Sequence, residues 1–254
     1  MDIKGASVIV TGAASGLGNA TARSFAEKGA VVFGLDLQQS IDKAVEQGID
    51  EGITLIAADV TSEDDVKAAI ARATEAAPLR VVVNCAGIAP AARIVSKKGV
   101  HALDLFETCI SVNLVGTFNV LRLAAEAMST RTPSTRTASA ASSSTPRPSP
   151  RTRARSGRSP TPPRRAASTR WASVPPATSR SSASGSTPSP GHHRDPDAQG
   201  LTEEFQKSLE AAIPFPSRLG RPSDYAQLAN AIVEHDYLNG ESFRMDGALR
   251  MAPR

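Results

Sequence analysis

The sequence predicts a single α/β domain on a doubly wound parallel sheet, with a middle segment that, as written, stays disordered or misassembled. Three observations lead there. Apolar, β-branched runs alternate with helix-spaced stretches over residues 1–128. A glycine-rich turn joins the first such run to the first helix. Finally, residues 129–190 contain almost nothing that can enter a core. A chain of 254 residues, 40% of them hydrophobic, suits one domain of this kind.

The elements follow in order. Ala6 to Val10 is apolar and β-branched, as a parallel strand buried on both faces requires. Residues Gly16 to Lys28 have helical spacing, with Gly18, Ala22, Phe25 and Ala26 as inward positions. Val31 to Leu35 is the second strand and Ile53 to Ala58 the third. A helix over Val66 to Ala77 leads to a fourth strand, Val81 to Asn84. One long helix runs from about Leu105 to Met128. Alternation of this kind implies a parallel sheet with right-handed crossovers.

The segment 129–190 breaks the pattern. Of its 62 residues, 58 are Ser, Thr, Pro, Arg or Ala, the exceptions being Gly157, Trp171, Val174 and Gly185. Such a composition buries too little apolar surface to offset backbone ordering and predicts disorder. The segment also carries 11 of the 29 basic residues and no Asp or Glu. The rest of the chain therefore has 18 basic against 25 acidic residues, a net of −7, although the whole is +4. The basic character is thus local and does not mark the domain as a binder of nucleic acid. Globular texture returns near Leu201, with Phe205, Leu209, Ile213 and Phe215. The organisation predicted is a first half over 1–128, an aberrant segment over 129–199, and a C-terminal part of the same domain over 200–254.

The chemistry concentrates at strand ends. Thr11-Gly12-Ala13-Ala14-Ser15-Gly16-Leu17-Gly18 follows the first strand and opens a helix. Glycines there let the backbone turn sharply and approach a pyrophosphate. The helix N-terminus meets that anion with free N–H groups and its positive dipole end. The pattern alone is weak; its place between strand and helix strengthens it. Asp36 closes the second strand, 18 positions after Gly18. A carboxylate there accepts both adenosine-ribose hydroxyls and repels a 2′-phosphate, favouring NAD over NADP; the alternative is an ordinary strand-end Asp. Asp59-Val60 closes the third strand, where the Asp either contacts an adenine amino group or caps a turn. Asn84-Cys85-Ala86-Gly87 closes the fourth, at the carboxyl edge where open α/β sheets bind ligands.

Together with Val112-Asn113-Leu114-Val115-Gly116-Thr117, these motifs resemble the short-chain dehydrogenase/reductase family, four of them in order at plausible spacing. Finer likeness is to its type 2 3-hydroxyacyl-CoA dehydrogenases. It lies in Asn84 to Pro90 with the Lys97-Lys98-Gly99 insertion, in Gly116 to Val120, and in Ile213 to Gly220 running on to Asn239-Gly240-Glu241 and Met245 to Met251. The likeness covers residues 1–128 and roughly 200–254. It implies a Rossmann domain of about seven strands, an NAD-dependent interconversion of a secondary alcohol and a ketone, and a homotetramer with Gly247 to Arg250 at an interface. The substrate it implies is a 3-hydroxyacyl-CoA, with another alcohol such as a hydroxysteroid as the alternative. By the same likeness Gly12, Ser15, Gly16, Leu17 and Gly18 hold the pyrophosphate and adjoining ribose, and Asp36 the adenosine ribose. Asp59 and Val60 line the adenine pocket, Asn84, Cys85 and Ala86 pass along the cofactor, and Asn113 supports a proton relay. Lys97 and Lys98 form either a solvated loop or an attraction for CoA phosphates.

The family's remaining catalytic groups are a Ser and a Tyr-x-x-x-Lys pair, and they belong inside 129–190. The chain's two tyrosines, Tyr225 and Tyr237, lie far downstream, so as written it has no catalytic base. A frameshift explains the loss. When the last base of each codon is joined to the first two of the next, Ser144-Thr145-Pro146-Arg147-Pro148 permits Asn-Thr-Ala-Ser. Ser159 to Ala167 likewise permits Ala-Tyr-Ala-Ala-Ser-Lys-Gly-Gly. The hidden Ser, Tyr and Lys then fall near Pro148, Thr161 and Arg165. Pro176 to Arg180 permits Arg-Asp-Leu-Ala, and Gly185 to Pro190 permits Val-Asn-Thr-Ile-Ala. From Gly191 a different offset fits, where His192 to Asp197 permits Ile-Ile-Ala-Thr-Pro-Met. The Ser/Thr/Pro/Arg/Ala bias is what GC-rich codons give when read off frame.

Other function classes fare worse. His192-His193 has no ligand partners at useful spacing, so no metal site is expected. The Arg/Ser-rich run Arg151 to Arg158 lacks interleaved aromatics, which argues against nucleic acid. Cys85 and Cys109 make no disulfide framework and read as small buried hydrophobes. No run of about 18 apolar residues occurs, so no membrane span is expected. Met1-Asp2-Ile3-Lys4-Gly5 has no signal layout, and cytoplasmic placement is the expectation. The rival from another class is a non-enzymatic product: the chain taken literally, unfolded and inactive.

Overall fold

The structure, a computed structural model, describes residues 1–90, 92, 94–96, 99–129, 207, 210–238 and 242–249. The expected disorder of the middle segment and the hidden catalytic positions near Pro148, Thr161 and Arg165 lie outside the described residues. So do Lys97, Lys98, Trp171 and His192-His193.

Four parallel strands form the sheet: β1 (Ser7–Thr11), β2 (Val31–Asp36), β3 (Ile53–Ala57) and β4 (Leu79–Asn84). Their order is β3-β2-β1-β4. The chain winds outward from β1 to β3, then returns to β1's other side. That reversal between β1 and β4 is the switch point at which open α/β sheets bind ligands. In register, Thr11 lies level with Leu35 and with Asn84, so the ends of three strands converge there.

Side-chain alternation along β1 explains the layering. Ile9 faces one side and joins Phe33, Leu35, Ile56 and Val82 in a cluster with α3 (Glu63–Ala76) and α5 (Thr117–Ser129). Val8 and Val10 face the other and join Val32, Val81 and Val83 against Ala22 and Phe25 of α1 (Gly16–Glu27). Tyr225, Ala229 and Val233 of α6 (Pro222–Glu234) complete this second layer. Both sheet faces are thus covered, which is why the strands read as continuous apolar runs. The C-terminal segment shares a core with the first half; Asn230 Nδ2 also donates to Ser24 Oγ at 2.7 Å, joining α6 to α1.

The predicted elements recur within a few residues. A short helix α2 (Gln38–Glu46) and a hairpin of β5 (Val95–Ser96) with β6 (Gly99–Val100) add to them. The expected long helix is one run, but not one type: α4 (Leu103–Ile110) passes into a π-helical turn, Ser111–Gly116, before α5. Of the residues that mark the return of globular texture, Ile213 packs with Leu219 and Leu249, whereas Phe215 is 83% exposed.

Leu103–Ser129 is, on length and composition alone, apolar enough to cross a membrane. Scattered charges at Asp104, Glu107, Arg122 and Glu126 interrupt every long apolar run without making the whole polar. Within this fold Val120, Leu123, Ala124 and Met128 of that stretch are buried against the sheet and α3, while Leu103, Phe106, Leu114, Val115 and Phe118 are exposed.

Candidate cofactor site

The glycine turn is built by close backbone approach. Gly12 and Gly16 have φ of +66° and +52°, a region that disfavours side chains. A Cβ on Gly12 would stand 2.8 Å from the Ala86 nitrogen, and one on Gly18 would stand 2.0 Å from the Gly12 oxygen. The β1 and β4 loops therefore lie back to back with no room for a methyl. Thr11 Oγ1 locks them, accepting the N–H groups of Cys85 at 3.1 Å and Ala86 at 3.0 Å. Helix α1 starts at Gly16 with Ser15 as N-cap, no side-chain cap hydrogen bond and no acid in its first turn. Its dipole end and first-turn N–H groups are suited to an external anion. Leu17 packs its side chain toward the core.

Asp36 sits at the tip of β2 beside this turn. Its Oδ2 accepts the Ala14 N–H at 3.0 Å and its Oδ1 accepts the Leu37 N–H at 2.8 Å. A carboxylate has about four acceptor sites, so both oxygens keep capacity for ribose hydroxyls. Asp59 takes the turn role: its Oδ1 accepts from the Thr61 N–H at 2.8 Å and the Thr61 hydroxyl at 2.7 Å. Val60 is buried beside it, its carbonyl accepting from Asn119 Nδ2 at 2.9 Å. Asn84 is buried at the end of β4, and its side-chain oxygen has no hydrogen-bond partner among the described residues. Such an orphan acceptor calls for a donor. The glycine cradle, the anion-ready helix end, the strand-tip carboxylate and this orphan together fit the adenosine and pyrophosphate half of a dinucleotide.

Asn113 lies in the π-helical turn, a helix defect that recurs at functional sites. Its amide clamps the loop after β4: Oδ1 accepts the Ile88 N–H at 2.9 Å and Nδ2 donates to the Ile88 carbonyl at 2.8 Å. Nδ2 also approaches Cys109 Sγ at 3.1 Å. A Cβ on Gly87 would meet Asn113 Oδ1 at 2.8 Å, so a side chain there would displace the Asn113 amide. The structure thus shows the Asn113 side chain holding this loop. Ala14, Ile88 and Asn119 were missed as contributors, since backbone partners leave no composition signal.

The cysteines behave as buried thiols. Cys109 is buried, and Cys85 is partly exposed with its sulfur 3.8 Å from the Tyr225 hydroxyl. Burial pushes the Cys85 thiol up to about 12, against a smaller lowering by Tyr225. Burial also pushes the Tyr225 phenol well above the usual tyrosine range. A proton-shuttling tyrosine needs the opposite shift, so Tyr225 is unsuited to be the base. Tyr237, at 98% exposed, is in bulk solvent.

Residues 6–153, more than half the chain, match the short chain dehydrogenase family. The chain belongs to that family. It is 38% identical to a 3-hydroxyacyl-CoA dehydrogenase type-2 of Drosophila melanogaster, over 99% of this chain and 100% of that protein. The Homo sapiens protein of the same name is 37% identical over 99% of this chain and 97% of its own. Among solved structures, a 3-hydroxyacyl-CoA dehydrogenase type-2 from Mycobacterium avium superposes with a TM-score of 0.71 at 27% identity, covering 98% of both chains. As a short chain dehydrogenase the protein is an oxidoreductase of the nicotinamide-cofactor type with a Rossmann-like sheet.

Proposed function

We propose that the protein interconverts a secondary alcohol and a ketone with NAD, and that its substrate is a 3-hydroxyacyl-CoA. The observation that carries the cofactor choice is Asp36 at the tip of β2. Its carboxylate faces the glycine turn with acceptor capacity for two ribose hydroxyls and a charge that repels a 2′-phosphate. The substrate class rests on the full-length likeness to proteins named for 3-hydroxyacyl-CoA. When bound, the nicotinamide accepts or returns a hydride. The chain's part is to bind, to orient and to move one proton. Gly12, Gly16 and Gly18 bring the backbone to the pyrophosphate, Asp36 selects the ribose, and Asn113 holds the loop that passes beneath.

The proton step needs a base that the written chain lacks. The reading that restores it is three one-base losses in the gene. The first two set the offsets fitted over 129–190 and from Gly191, and the third returns the frame near Gly200. Their sum is one whole codon, so the overall length is nearly kept, in accord with an alignment that runs end to end along the fly relative. In the restored frame the hidden Tyr exchanges its proton with the substrate oxygen, the hidden Lys lowers that Tyr's pKa, and the hidden Ser holds the same oxygen. The deciding assay is NAD reduction with 3-hydroxybutyryl-CoA by protein from the resequenced gene; no turnover there, with NADP preferred in binding, would sink the proposal.

The protein works as a homo-oligomer in this reading. Phe106, Leu114, Val115 and Phe118 are exposed apolar residues along α4, the π-helical turn and α5 among the described residues, and such a row is a common subunit contact. Sedimentation of the resequenced protein is expected to give a multiple of the 26.5 kDa chain mass. A monomer at micromolar concentration would refute this.

A further inference from the structure

A row of side chains links the surface of α3 to the adenine end of the cofactor cradle. Asn119, in the first turn of α5, is 4% exposed. Its Nδ2 donates to the Val60 carbonyl at 2.9 Å, and its Oδ1 accepts from Arg122 Nη2 at 2.8 Å. Arg122 is ion-paired to Glu63, whose other carboxylate oxygen takes Lys67 Nζ at 2.6 Å. Gly116 passes so close to Val60 on a second side that a Cβ on it would stand 2.6 Å from Val60 Cγ2.

The order of donors in this row matters. An amide has one donating and one accepting end. Only its NH2 end can satisfy the Val60 carbonyl; turned over, it would set oxygen against oxygen in a buried place. Arg122 has donors only, so its hold on Oδ1 fixes the productive orientation. The half-exposed Glu63–Arg122 pair contributes little as an ion pair. Its consequence is transmitted inward through the Asn119 amide.

We infer that Asn119 and Arg122 are positioning residues for the cofactor: they fix the Asp59–Val60 turn so that it forms a rigid wall for the adenine base. The inference rests on the reading of Val60 as an adenine-pocket residue. A wall of this kind acts on the adenosine half of the ligand and not on the reacting centre. Loss of one buried hydrogen bond corresponds to roughly three- to tenfold in affinity.

The test uses the full-length protein made from its resequenced natural gene, with Asn119→Ala, Arg122→Leu and the double variant. Affinity for NADH and for AMP is measured by calorimetry, beside the KM for NAD, the kcat at saturating NAD, and thermal melting. Asn119→Ala is expected to weaken NADH and AMP by the same roughly three- to tenfold factor and to raise the KM for NAD, with kcat and the KM for the alcohol unchanged. Arg122→Leu should act in the same direction but more weakly, and add nothing in the Asn119→Ala background. A lowered melting temperature with unchanged NADH and AMP affinity would overturn the inference, leaving a purely structural network. A fall in kcat equal to the loss in affinity would also overturn it. If the unsubstituted protein binds neither NADH nor AMP, the cofactor reading fails at its root, an outcome distinct from both.

Discussion

Gly18→Ala is expected to abolish useful dinucleotide binding, raising the Kd for NADH on the order of a hundredfold, about 2.8 kcal/mol. The added Cβ would stand 2.0 Å from the Gly12 carbonyl oxygen. That neighbour is backbone, so no side chain can swing aside. The turn itself must move, and the turn is what brings N–H groups to the pyrophosphate. Overpacking costs about 1–3 kcal/mol even where a core can adjust; here the displacement falls on the binding surface. Gly48→Ala is the control. Gly48 has φ +64°, but a Cβ there would meet nothing within 4 Å. Its variant should lose about 1 kcal/mol of stability from backbone strain and keep its NADH affinity. Equal affinities for Gly18→Ala and the parent, by calorimetry, would remove the β1–α1 turn from the cofactor site.

The second large effect concerns cofactor choice. Asp36→Asn deletes the charge and keeps one acceptor oxygen, which can hold the N–H of Ala14 or that of Leu37 but not both. The preference for NAD over NADP should then collapse by roughly a hundredfold. Opposite to a 2′-phosphate, a charge about 4 Å away in surroundings of intermediate dielectric amounts to a few kcal/mol. Most of the change is expected as improved NADP binding, since charge repulsion is what is removed. Unchanged NAD/NADP selectivity in steady-state kinetics would mean that Asp36 only braces the loop through Ala14.

Much of this fold was legible because β1, β2 and β4 are buried on both faces. Burial on both sides writes a strand as an unbroken apolar run, as in Val81 to Val83, and a run between glycine turns is hard to misread. The short helix α2 escaped because it buries only Ile41 and Ala44, too few to set a period. The hairpin of Val95–Ser96 and Gly99–Val100 is fully exposed and leaves no pattern. One extra residue per turn at Ser111–Gly116 barely disturbs helical spacing, so the π-helical turn was invisible while Asn113 within it was not. At the site, residues that act through type, such as Gly12, Gly18 and Asp36, were readable. Residues that act through a backbone atom or a chosen amide orientation, such as Ala14, Ile88 and Asn119, became readable only in three dimensions. Asp59 shows the limit of the motif: its carboxylate is engaged with Thr61.

The most direct measurement compares two proteins in one assay: reduction of NAD by 3-hydroxybutyryl-CoA, with protein made from the resequenced gene beside protein made to the sequence as written. The account predicts turnover by the first and none by the second, because only the first carries the Ser, Tyr and Lys that complete the site around Asn113. Turnover by the chain as written would contradict it, since Tyr225 is buried with its proton held and Tyr237 is out in solvent.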